Sequence, residues 1–536
     1  MNSLKEILAL GNLSSLDAEA ALEVVAKLVD FACVDRSLFG IATALRWCDE
    51  LEPKLDAQQR ARLDYFRANA WAFRQRASQQ TVEDAWGWDQ PAATKLVFHL
   101  RRALRAESPE GQVDFHRCQV LTNLGNQLDT LGRPVAGQRA YTKALLELPE
   151  FWMARGNRAR ALLGYAEALY DPGHRALIAA FAHREMVLAL EHMERHPSFD
   201  DASVLEGRLK KQLTHIGQNL DVSAALEDLE QKFDLGDDDA ERAYRQWCLN
   251  ENLFLNPLND LGPYSIASHD VLLLPDLRLP IGEPPVLIGF YNQLKQEFVS
   301  ARWFLFEGLV DGDSYLSSRS PEPHFSDRHV LMANTLDYTD FGLATEKLKT
   351  AFRLTYSLLD KIAYFLNHYL ALGMKEKQVN FRKIWLEGSD KNPRVRQSLE
   401  DSRNWSLRGL YWLGKDLFEE KLSEVAEPEA EELAQMRNHL EHKYLKVHWL
   451  LVPESPDPLA ASPAVDLFKD TLAYSISSEQ LEQRSLHLLR LAREALIYVS
   501  LAVHAEEQRR ERESPLVGLV APMELPPLED ERKRRM

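Results

Sequence analysis

Apolar residues recur along most of this chain at the three-to-four spacing of helices that bury one face. From Asn2 to about Tyr170 one amphipathic stretch follows another, and the pattern continues from His183 to Gln231. The run Asp234 to Glu241 is acidic and reads as a solvated loop or a helix start. Tyr244 to Pro285 breaks the rhythm. It holds Pro257, Pro263, Pro275, Pro280, Pro284 and Pro285 among short apolar runs such as Val271-Leu272-Leu273-Leu274, which largely excludes helix. The segment is too apolar for a flexible tether, so an ordered connector is expected.

The helical rhythm then resumes. One helix is predicted over Tyr291–Leu309, with Phe298, Trp303, Phe304 and Phe306 on its apolar side, followed by a Ser/Pro/Asp-rich loop to Asp327. A long helix is expected from a cap at Thr345 to Gly373, with Leu348, Phe352, Leu358, Leu359, Ile362, Phe365, Leu366 and Tyr369 as its stripe. A third spans Ser402 to Phe418. A fourth starts near Pro428, carries Glu429, Glu431 and Glu432 in its first turn, and ends before Pro453. A fifth runs from about Ser478 to Glu507. It is apolar nearly all round between Leu486 and Val503, so it is predicted to be the buried helix. The expected fold is therefore all-α. A helical solenoid covers 1–243, an ordered Pro-rich connector 244–285, a four-helix-type bundle 286–512 and a charged disordered tail 513–536.

One unit of the first half is sharper than the rest. Leu121, Leu124, Gly125, Leu128, Gly132, Gly137, Tyr141, Ala144 and Pro149, in a stretch opening at Cys118, resemble a tetratricopeptide repeat. Gly125 and Ala144 let two helices approach, Tyr141 fills the groove and Pro149 stops the second helix. A weaker unit ends near Pro109, after Ala103 and Leu104, and another starts near Trp152, where Gly156-Asn157 echoes Gly125-Asn126. One repeat cannot bury its own face, so several are expected to stack. The concave face of such an array suits a peptide or protein trigger, while a passive scaffold is the plainer alternative.

Composition narrows the chemistry. The 536 residues exceed one compact core, so roughly two to four domains are expected. A formal charge of −17 argues against a general polyanion-coating surface, so RNA contact has to come from a local basic patch. Cys33, Cys48, Cys118 and Cys248 lack metal spacing and read as reduced thiols of a cytoplasmic protein. No apolar run reaches membrane-span length, and the N-terminus lacks a signal-peptide pattern. His192 and His196 have i, i+4 spacing, but a third ligand is missing and Pro197 follows at once. No metal and no cofactor is expected.

The stretch that carries candidate catalysis is Arg437-Asn438-His439-Leu440-Glu441-His442. An arginine, a polar residue directly after it and a histidine five places on, inside a helix flanked by apolar helices, resemble the HEPN superfamily. Its active members are metal-independent ribonucleases. Tyr244-Arg245-Gln246-Trp247-Cys248 followed by Leu253 to Asn259 resembles a signature of the LA2681-type HEPN proteins, which set helical repeats before the bundle. A second Arg-x4-His match, Arg319 to His324, falls in a Pro-rich loop that would not hold it.

On a helix, Arg437 and His442 point roughly 140° apart, so one buried face cannot hold both. The resemblance implies that a second copy supplies the matching helix, making a homodimer with the site between subunits. The alternative is a surface pair between Arg437 and Glu441 with His442 exposed. His439 and Asp360 are supporting candidates, Asp360 as a partner for Arg437 or as a plain solvent charge. RNA binding is expected from Arg382, Lys383, Trp385, Arg394 and Arg396, within a Lys375–Lys415 stretch that is basic by ten residues to five acids. The resemblance implies a toxin-like or defence endoribonuclease whose repeats sense a trigger or restrain it. The alternative is a non-catalytic adaptor binding protein or nucleotide.

Overall fold

The computed structural model describes residues 3–106, 114–195, 202–279, 284–313, 323–335, 337–389, 392–417, 427, 430–448, 470, 472–513 and 530. Several expectations lie outside them: the repeat end at Pro109, His196, Pro280, Arg319, the helix start at Pro428–Glu429, the ends at Phe418 and Pro453, and nearly all of the tail.

The first half is a run of helices: α1 (Leu4–Leu8), α2 (Ala18–Val34), α3 (Leu38–Leu51), α4 (Ala57–Ser78), α5 (Val82–Trp86), α6 (Pro91–Ala103), α7 (Phe115–Thr130), α8 (Pro134–Glu147), α9 (Trp152–Ala168), α10 (Pro172–Arg195), α11 (Ala202–Asn219), α12 (Val222–Glu230) and α13 (Asp239–Asn250). They pack as successive pairs, α2 with α3, α4 with α6, α7 with α8 and α9 with α10. The α7–α8 pair shows why small residues are needed where two helices cross. A Cβ on Gly125 would lie 2.6 Å from the Tyr141 ring, so only glycine seats that ring, whose hydroxyl donates to Asn126 at 2.8 Å. Gly132 turns the chain between them at φ +87°.

The connector differs from expectation at its start. Tyr244 lies inside α13, which runs to Asn250 because Asp238 caps it and Tyr244 and Trp247 pack on Phe306. Beyond it the backbone is irregular yet buried, with Leu253, Phe254, Leu255 and Leu258 in the main core. Two arginines of later helices grip it. Arg302 donates to the Leu253 carbonyl, to the Tyr244 hydroxyl and to both oxygens of Asp270. Arg493, fully buried, donates to the carbonyls of Phe254 and Asn256 and to Asp260. Backbone groups that no helix or sheet satisfies are thus paired by guanidinium forks.

The second half contains α14 (Val286–Asp313), α15 (Leu343–Tyr369), the hairpin β1 (Leu386–Ser389) with β2 (Asn392–Val395), α16 (Gln397–Asp401), α17 (Trp405–Gly414), α18 (Ala430–His442), the parallel pair β3 (Tyr444–His448) and β4 (Ala473–Ser477), and α19 (Ser478–Glu513). The all-α class holds, with four short strands as the exceptions among the described residues. Helix α19 is the buried one: every residue from Leu491 to Val503 is buried, against α14, α15 and α17. Three boundaries are corrected. Helix α15 is capped at Gly342, not Thr345, whose hydroxyl instead bonds Asp340 one turn earlier. It ends at Tyr369, because Ala371 at φ +51° already leaves the helix before Gly373. Helix α18 stops at His442 because Tyr444–His448 pairs with β4.

The two halves share one core, which runs from Ala68 to Val503. A smaller core over α1 to α4 packs separately. The seam between halves is charged as well as apolar. Asp416 accepts from Arg101 at 2.6 and 2.9 Å and from Arg133, and Arg133 donates to Glu494 of α19 at 2.9 Å. Burial alone would raise the Asp416 carboxyl; the two guanidinium groups outweigh it and hold it below the usual range. Beside this network, backbone touches backbone: a Cβ on Gly409 would lie 1.9 Å from the Gly132 oxygen. Among the described residues no helix is long and apolar enough to cross a membrane.

Candidate functional site

Helix α18 is seated by Ala430, Leu433 and Met436, buried at i, i+3, i+6, and by an ion pair from Glu432 to Arg484 of α19 at 2.6 Å. This fixes the rotation of the helix and hence where its polar residues face. Arg437 follows the buried edge and is half-buried, with its guanidinium carbon 5.2 Å from the centre of the Tyr356 ring on α15. Among the described residues it makes no ion pair with Glu441, so the local i, i+4 alternative is not formed. The contact is a cation over an aromatic face, which leaves the N–H groups able to donate elsewhere.

Asp360, one turn beyond Tyr356, accepts from the Phe381 backbone N–H at 3.0 Å. Burial raises its carboxyl, with that N–H and the charge of Arg437 working the other way. Asp360 is thus within electrostatic reach of Arg437 but not in ion-pair contact with it. The same bond brings the start of the basic stretch to the site. Arg353, one turn before Tyr356, is half-buried with no hydrogen-bond partner on Nε among the described residues. Neither Tyr356 nor Arg353 is signalled by a sequence motif; their spacing from Asp360 on α15 is the one available clue.

Asn438 and His442 are exposed, on the side of α18 away from Arg437. The single chain therefore does not bring Arg437 and His442 together. His439 is half-buried: its Nδ1–H donates to the Gln435 carbonyl at 2.8 Å and its ring stacks on Tyr474 of β4 at 5.2 Å. That packing ties α18 to the small sheet. The sheet is anchored in turn by Lys446, whose ammonium sits between Asp337 at 2.7 Å and Asp470 at 2.9 Å. Burial would raise the Asp337 carboxyl; Lys446 and the hydroxyls of Thr335 and Thr339 hold it well below the carboxylate range.

Residues 280–506 match the LA2681-like HEPN family. No curated protein and no solved structure matches the chain. The matched segment opens just before α14, closes inside α19 and includes Arg437, Asn438 and His442. It leaves out the N-terminal half and the stretch Tyr244 to Asn259. The buried arginines Arg302 and Arg493 give that stretch a structural role, since both lie in the matched segment and both hold the connector.

The basic stretch is only partly available for RNA. Lys383 is exposed and Arg382 half-buried, both beside Phe381 and hence near Asp360. Arg394 is exposed and paired across the β1–β2 hairpin with Glu387 at 3.1 Å. Arg396 spends its Nε on the Ile384 carbonyl at 2.8 Å, and burial lowers its pKa. Trp385 is a correction. Its ring is 2% exposed, edge-on to Phe381 and Tyr411, so it is a core residue with no face open to a base. Its apolar neighbours outcompete stacking, because a large ring gains more from burial than from a solvated partner.

Proposed function

We propose that the HEPN segment is a metal-independent endoribonuclease whose working site forms between two copies of α18, with the repeat half controlling it. What carries this reading is the intact Arg437, Asn438 and His442 set on one helix of the matched segment, held so that two of the three face outward. An exposed histidine and amide at a helix end serve no packing purpose, and a second α18 placed against that face supplies the arginine that the first cannot.

The reaction needs three services. The 2′-hydroxyl attacks the adjacent phosphorus while its proton passes to a base. The 5′-oxygen leaves as it takes a proton from an acid, and the phosphorane carries negative charge meanwhile. The products are a 2′,3′-cyclic phosphate and a 5′-hydroxyl. An imidazole can take up or give a proton through its ring nitrogens, so His442 suits either proton transfer. The Arg437 fork matches two phosphoryl oxygens. Asn438, one turn before His442, fixes the ring or binds phosphate. Lys383 and Arg382 extend the cationic path from the same side of α15.

Labelled single-stranded RNA incubated with the full chain in EDTA tests this. Cleavage that persists under chelation and falls by about a hundredfold or more in His442→Ala and in Arg437→Ala is expected. Wild-type protein that leaves RNA intact, alone and with cell extract as a source of trigger, would favour the adaptor reading.

A further inference from the structure

The repeat half contains a cavity of about 320 Å³ that the candidate nuclease site does not use. Asn126 and Asp129 of α7, Tyr141 of α8, Asn157 and Arg160 of α9 and Gln212 of α11 line it. Asp129 Oδ1 and Gln212 Oε1 are both shut off from water, and neither has a hydrogen-bond partner among the described residues. Folded proteins pair such atoms as a rule, and two orphaned acceptors on one cavity call for a donor. Burial pushes the Asp129 carboxyl up to about 7, with the charge of Arg160 opposing. The Tyr141 hydroxyl occupies Asn126 Oδ1 at 2.8 Å, which leaves the Asn126 amide N–H groups to donate.

We propose that this cavity binds a peptide segment through a lysine or arginine side chain, whose cation sits against Asp129 and Gln212. The cation satisfies both orphaned acceptors at once and relieves the cost of a buried carboxylate. The donors around it, Asn126, Asn157 and the exposed Arg160, match the carbonyls of the main chain on either side. A carboxylate ligand is disfavoured, because it would meet Asp129 at close range.

The site stands whether or not the bundle cuts RNA, so the binding and cleavage experiments fail independently. The test is titration calorimetry on the full chain at about pH 8, where Asp129 is ionised, with blocked tripeptides carrying central Arg, Lys or Glu. The Arg and Lys peptides are expected to bind, the Glu peptide not. Asp129→Asn is expected to weaken the Arg peptide by about tenfold or more while still unfolding cooperatively. Gln212→Ala gives a second, smaller loss. Absence of binding by the Arg and Lys peptides up to millimolar concentration, equal binding of the Glu peptide, or an unchanged affinity in a folded Asp129→Asn protein overturns the proposal.

Discussion

Arg437 illustrates how little a motif says about the company a side chain keeps. The sequence places it at the edge of an apolar face; the structure puts a Tyr356 ring beneath it, with no ion pair to it among the described residues. Tyr356→Phe preserves that face and is expected to leave RNA cleavage within about threefold, whereas Tyr356→Ala frees the guanidinium and lowers cleavage about tenfold or more. Single-turnover rates with each variant decide this. At Trp385 the signal misled for a physical reason. Tryptophan among lysines and arginines looks the same whether it faces a base or the core, and only tertiary packing decides. Trp385→Ala is therefore expected to cost stability, about 3–5 kcal/mol by denaturant titration, and not to act through RNA affinity. Asp129 offers a pH signature. Its folded pKa is raised above the unfolded value, so the folded state holds the proton more tightly and stability falls as pH rises from about 4 to about 7. Asp129→Asn should melt above wild type at about pH 8, with the gap closing towards about pH 4 in thermal scans.

At the scale of elements, what was legible follows from periodicity that is local and strong. The buried helix α19 and the α7–α8 pair were readable because their patterns extend over many turns or rest on small residues at a crossing. Helix α18 was read too long. Tyr444 and Val447 fit a helical stripe as well as they fit a strand, and the partner strand that decides the matter lies about 30 residues on, at Ala473–Ser477. Non-local pairing of this sort leaves no trace in a window of one helix. The seam between the halves was invisible for the same reason, since Arg133 lies 283 positions from Asp416 and 361 from Glu494. Removing Asp416 takes away the carboxylate shared by two buried guanidinium groups, leaving Arg133 with Glu494 and Arg101 with Glu427. Asp416→Ala is expected to destabilise the fold by about 3–5 kcal/mol in urea titration, with both halves melting together.

At the scale of the molecule, the arginine and histidine of α18 diverge within one chain, so two copies have to cooperate if the proposed chemistry is right. Mixing experiments can show it. Arg437→Ala and His442→Ala proteins, each inactive alone, should recover about a quarter of wild-type cleavage when co-expressed, because half of the dimers are mixed and each mixed dimer keeps one intact site. No recovery, with mixed dimers demonstrated by sedimentation and tagging, would mean that each site draws both groups from one copy.

The contact between Gly132 and Gly409 has a further meaning for anyone dissecting this protein. Similarity suggests a cut near residue 280, yet the surfaces such a cut exposes on α17 and α19 are the interior of the molecule, and Arg133 and the connector would leave with the discarded part. An isolated fragment from there onward should come out of expression insoluble. Grafting the matched segment onto a foreign domain would thus require transplanting the α7–α8 hairpin too, as one inseparable chassis.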